Sequence, residues 1–132
     1  MPTYDNPRTC CYSFPLMDFG AAAGATYYAI QGPPGHVGRV VDVGVSIQEA
    51  TVFASTLGIV EVGTAADPDA YAKLNIATGQ AVKTMFNTVD DTDAIISADV
   101  PADTDIVVKL TEGTGAGLTG QGVPFVIIDW FK

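Results

Sequence analysis

The sequence predicts an all-β protein, a jelly-roll-like β-sandwich of roughly seven or eight strands. Two observations carry this. Apolar residues recur with period two in several segments, and no segment carries a strong 3.6-residue stripe. The chain also holds 14 glycines and 8 prolines in 132 residues, which punctuates it into short strands and turns. With 48% hydrophobic and only 16% charged residues, it is rich enough in apolar side chains to bury a core without disulfide or metal staples.

Residues 1–20 have no period. Pro2, Pro7 and Pro15 alternate there with Tyr4, Tyr12, Phe14 and Phe19, which reads as an irregular N-terminal arm preceding one sandwich domain over residues 21–132. The first expected strand covers Ala25–Gln31. It ends at the turn "GPPG" (Gly32–Gly35), where proline fixes φ and glycine accepts positive φ. "HVGRVVDVGVSI" (His36–Ile47) alternates next. Strict alternation puts Val37, Val41, Val43, Val45 and Ile47 on the buried face, and Gly38, Val40, Asp42, Gly44 and Ser46 on the other.

A short strand near Thr51–Phe53 and another at Leu57–Val62 follow. Asp67, Pro68 and Asp69 mark a turn or the cap of a short helix. Tyr71–Ile76 reads as a strand, and "QAVKTMFNTVDD" as loop with room for one short element. "DTDAII" (Asp91–Ile96) is echoed twelve residues later by "DTDIVV" (Asp103–Val108), which predicts a turn-plus-strand unit used twice. A glycine-rich loop, "EGTGAGLTGQG", leads to a terminal strand over Val123–Phe131. Val126, Ile128 and Trp130 share one wholly apolar face of that strand. Phe125, Ile127 and Phe131 share the other with Asp129, a face too apolar for open water yet interrupted by a carboxylate.

The charge balance restricts the partners. Fifteen acidic and six basic residues give a net charge of −9, with no basic cluster for a phosphate backbone or an anionic bilayer. No apolar run approaches the ~18 residues of a membrane span. The opening segment lacks the basic and apolar regions of a secretory signal. The adjacent Cys10 and Cys11 make neither a disulfide framework nor a zinc knuckle. A reducing cytosol is the expected site of synthesis.

Catalytic motifs do not survive inspection. "GAGLTG" (Gly115–Gly120) spells G-x-G-x-x-G, but Gly122, Pro124 and a strand follow it, whereas a dinucleotide site needs a helix N-terminus there. The acidic trios "DPD", "DDTD" and "DTD" lack the calcium-loop pattern and read as solvated turns. His36, the one histidine, sits in a turn. The expectation is therefore no enzyme, no cofactor and no metal.

The stretch "VPADTDIVVKLTEGTGAGLTGQGVPFVIIDWFK", with "GHVGRVVDVGV" before it, resembles small virion proteins of tailed bacteriophages: the capsid decoration, or cement, class and related head proteins. In those a "P-A-D-T" opens a strand, a glycine-rich loop follows and an apolar strand ends the chain. The resemblance implies a structural protein of the virion, assembled in the host cytoplasm, which coats or clamps the major capsid protein lattice as a homo-oligomer. It transfers no catalytic residue. The residues expected to make partner contacts are Tyr4, Tyr12, Phe14, Phe19, Phe125, Ile127 and Phe131. The alternative is a receptor- or carbohydrate-binding module of a tail or fibre, which requires exposed aromatic side chains.

Overall fold

The structure, a computed structural model, describes residues 8–21 and 24–132. These form ten strands and no helix: β1 (Arg8–Ser13), β2 (Met17–Asp18), β3 (Ala25–Ile30), β4 (Val37–Val52), β5 (Gly58–Gly63), β6 (Ala72–Ile76), β7 (Met85–Asn87), β8 (Asp99–Val100), β9 (Ile106–Thr111) and β10 (Thr119–Phe131). They build two antiparallel sheets. The first has the order β1-β10-β4-β7, with β2 added to β10 and β8 added to β4; the second has the order β3-β9-β5-β6.

The sheets enclose one core. Val43, Val45, Ile47, Val126 and Ile128 come from the first sheet. Val60, Val62, Leu74, Ile76, Ile106, Val108 and Leu110 come from the second. All are β-branched or leucine at every second position, as a half-buried pleated surface demands. Trp130 belongs to the same core, at 2% exposure. Gly32 and Gly38 lie against its indole: a Cβ would fall 2.3 Å and 2.7 Å from ring carbons. The bulk of the one tryptophan thus depends on two positions without a side chain.

Strand β4 departs from strict alternation. Ile127 of β10 pairs with Asp42 but Ile128 pairs with Val40, so Val41 has no partner across the ladder. This β-bulge takes up one extra residue and re-phases the strand. Val40 turns inward at 2% exposure, while Val37 and Val41, expected in the core, are each 46% exposed. The doublet Val40–Val41 admits either phase in the sequence; only the partner strand selects one.

The described part of the arm is not irregular. Residues 8–13 form β1, paired residue for residue with β10 from Arg8↔Trp130 to Ser13↔Phe125. Met17 and Asp18 form β2 on the other half of β10. Prolines confine strands to edges, and Pro15 falls between these two, which is why no single period runs through the segment. The "DTDAII" segment is also not a strand: only Ile95 bridges to Ala72. Its role is set by β6, whose outer edge it covers. Lys73 donates to the Ala94 carbonyl, Ile96 and Ser97 donate to that of Tyr71, and the Asn75 N–H is taken by the Asp91 carboxylate. Its echo does pair, as β9. Asp67–Asp69 lie in a turn, with the Thr64 N–H bonded to the Asp67 carbonyl and the Asp67 N–H to the Thr64 hydroxyl.

Candidate functional site

The site is the outer face of the first sheet. Period two along β10 sends Val126, Ile128 and Trp130 inward and Phe125, Ile127, Asp129 and Phe131 outward. The register sets these beside Ser13, Cys11 and Thr9 of β1, and beside Gly44, Asp42, Arg39 and Val37 of β4. Gly44 explains how Phe125 is 8% exposed on a face turned to solvent. A Cβ at Gly44 would stand 2.3 Å from the ring tip, so the phenyl lies flat across the missing side chain.

Two apolar concavities result. One, of about 340 Å³, is lined by Cys11, Met85, Val123, Phe125 and Ile127, with Asp42 at its rim. The other, of about 450 Å³, is lined by Val37, Val100, Pro101 and Phe131, with Arg39 and Asp99 beside them. Met85 exposes 58% of its surface and Val37 46%, so this side of the molecule presents large apolar side chains to water.

The carboxylates on the face are engaged. Asp129, which argued from sequence against burial, accepts a hydrogen bond from the Thr9 hydroxyl of the neighbouring strand. Asp42 accepts from the Asn87 amide at 3.3 Å, the Thr88 N–H at 3.3 Å and the Thr88 hydroxyl at 2.8 Å. Arg39 and Asp99 form an open ion pair at 3.6 Å, of small energetic value at such exposure. These bonds tie the charged groups sideways, and the polar row Thr9–Asp129–Arg39 separates the concavity at Phe125 and Ile127 from the one at Phe131.

The residues expected to make partner contacts separate into groups. Phe125, Ile127 and Phe131 do lie together on the outer face. Phe14 and Phe19 do not: at 9% and 1% exposure they belong to the core. Phe14 stacks on Tyr28 with ring centroids 5.0 Å apart, and Phe19 packs over Gly58. Tyr12 points inward from β1 to Trp130. These three aromatics therefore hold the arm to the core of its own chain rather than presenting it. Tyr4 lies outside the described residues. The sequence reading missed Val37 and Met85, the first through the bulge and the second through the short, weakly patterned β7.

His36 makes a local contact, its Nδ1 2.9 Å from the Pro34 carbonyl oxygen. Among the described residues, His, Cys, Asp and Glu gather nowhere into a group of three or more that would hold a metal ion. No helix of the described chain is long and apolar enough to cross a membrane. Fold and face together define an all-β protein of two antiparallel sheets whose conspicuous surface is apolar and built on rigid strands. No family model matches the sequence, and searches of curated proteins and of solved structures find no similar chain.

Proposed function

We propose that this chain is a structural virion protein, a capsid decoration or cement protein, which stabilises a capsid lattice by seating the outer face of its first sheet on the major capsid protein. The observation that carries the reading is the pair of apolar concavities around Phe125, Ile127 and Phe131. A face of this kind serves to bury area against another protein, and aromatic anchors supply most of the energy of such contacts. The support from sequence is the resemblance of residues 100–132, with residues 35–45, to decoration proteins. The net charge of −9 opposes unspecific clumping of unbound copies through this apolar face.

Binding to capsids that lack the chain tests this. Ile127→Asp and Phe131→Asp each place a charge on the half-buried outer face while leaving the inner face intact. Each variant is expected to bind at least about tenfold more weakly, the usual consequence of losing an anchor worth ~1.4 kcal/mol or more, with an unchanged melting temperature. Full binding by both variants overturns the assignment of the face. A copy number in purified particles that follows tail symmetry instead of lattice sites overturns the assignment to the capsid.

A further inference from the structure

The two sides of the sandwich are finished differently. On one side β6 has its outward backbone groups taken by the Ala94, Asp91 and Tyr71–Ser97 bonds of the covering loop, and the first sheet ends in β7 and β8, of three and two residues. Short strands and covered edges are how sheets prevent unwanted pairing. On the other side β1 and β3 are the terminal strands, each six residues long, and Phe14, just after β1, stacks on Tyr28 of β3. Among the described residues no strand or loop pairs with the outer edge of β3.

The register fixes what that edge offers. Glu112 N–H bonds the Gly24 carbonyl, so period two turns the backbone of Thr26, Tyr28 and Ile30 toward β9 and that of Ala25, Tyr27 and Ala29 outward. None of the 6 basic and 15 acidic residues lies within β3, and it holds no proline and no bulge against β9. Among the described residues no loop covers this edge as the 91–97 segment covers β6. Tyr27 is 59% exposed.

We propose that β3 is the contact between two copies of this chain, pairing antiparallel with β3 of a second copy across a two-fold axis through Tyr27. The outward positions read Ala–Tyr–Ala, the same in both directions. A two-fold therefore sets Tyr27 opposite Tyr27 of the other copy and Ala25 opposite Ala29, each pair exchanging two backbone hydrogen bonds. Charge favours the same occupant. Copies of net charge −9 repel over most of their surface, and an uncharged strip is where they can meet. Edge β1 lacks this symmetry: its outward residues are Thr9, Cys11 and Ser13, it starts with Arg8, and Thr9 is already held by Asp129. This proposal does not depend on the lattice reading, since it concerns a different edge and a different partner.

Sedimentation equilibrium of the full chain, with Tyr27→Lys and Ala29→Pro, tests it. Both substitutions leave every intramolecular backbone bond of β3 in place, because residues 27 and 29 direct their N–H groups outward. The unmodified chain is expected at twice 13.7 kDa, and both variants at half that mass with unchanged circular dichroism. Cys11→Lys, on the other edge, is expected to remain a dimer. A monomeric unmodified chain, dimeric Tyr27→Lys and Ala29→Pro, or dissociation by Cys11→Lys alone would each overturn the proposal. Hydrogen exchange of the unmodified chain decides the matter even if a variant fails to fold. Amide protection at Ala25, Tyr27 and Ala29 that falls on dilution supports the pairing, and unprotected amides at all concentrations refute it.

Discussion

The Trp130 indole N–H donates a 2.9 Å hydrogen bond to the Tyr12 phenol oxygen. It ties β1 to β10 through side chains as well as through the ladder between them. Trp130 is 2% exposed, so its N–H has no access to water if Tyr12 is lost. Tyr12→Phe should cost about 1–3 kcal/mol, the penalty of a buried donor left unpaired. The melting temperature should fall by about 3–6 °C per kcal/mol. An unchanged melting temperature would show that the bond contributes nothing net.

Burial is the main influence raising the Tyr12 phenol above its ordinary pKa; the bond from Trp130 opposes it and Cys10 adds to it. A raised pKa means that the folded state favours the neutral phenol. Its contribution to stability is complete below the unfolded pKa of 10.0 and is lost as pH rises through the higher folded value. Alkaline unfolding should therefore be less steep in Tyr12→Phe than in the unmodified chain, which a melting series from pH 8 to 11 would measure.

Gly44→Ala tests whether Phe125 depends on the missing side chain. The new Cβ would stand 2.3 Å from the ring tip and 2.9 Å from the Phe86 carbonyl oxygen. The backbone oxygen cannot yield, so the ring must leave the face. Overpacking of this kind costs roughly 1–3 kcal/mol, and the groove lined by Phe125 and Ile127 changes shape. Both the melting temperature and lattice binding should fall. Loss of stability with full binding would remove Phe125 from the contact.

Deletion of residues 1–19 should abolish the soluble fold instead of releasing a stable body. It removes β1, β2 and the buried Phe14, Met17 and Phe19, each worth on the order of 1.5–3 kcal/mol of burial against a total stability of ~5–15 kcal/mol. Truncation after Pro124 should do the same by removing Val126, Ile128 and Trp130. A soluble product of either deletion with an unchanged melting temperature would contradict the packing described above.

A turn supplies a pH signature of opposite practical range. The Asp67 carboxyl lies above its ordinary value of 3.8, chiefly through a side-chain hydrogen bond with Asp69, then through desolvation and the charge of that neighbour. The folded state thus favours protonated Asp67: this stabilisation is present below the unfolded value and lost as pH rises through the folded one. Asp69→Asn should raise the melting temperature at pH 7, with the gain shrinking toward pH 3. The group is fully exposed, so the effect is small and screened by salt. A gain that grows on acidification would reverse the assignment.

The sequence by itself determined the fold class and most of the strands. Period two in Val43–Ile47, Ile106–Leu110 and Val126–Trp130 is a local property of a pleated chain with one buried face, and it needs no knowledge of the partner strand. The same alternation placed Phe125, Ile127 and Phe131 together on an outer face. Tertiary structure alone decided which phase β4 adopts, because the bulge at Val41 exists only relative to β10. Likewise only the fold made Phe14 and Phe19 core residues, through Tyr28 and Gly58 of the second sheet, which lie well away from them in sequence. It also set "DTDAII" along the edge of β6 while its echo became β9, since two similar segments differ only in which backbone lies beside them. Short-range patterning fixes which face of a strand is apolar; long-range pairing decides what covers that face and which edges stay open.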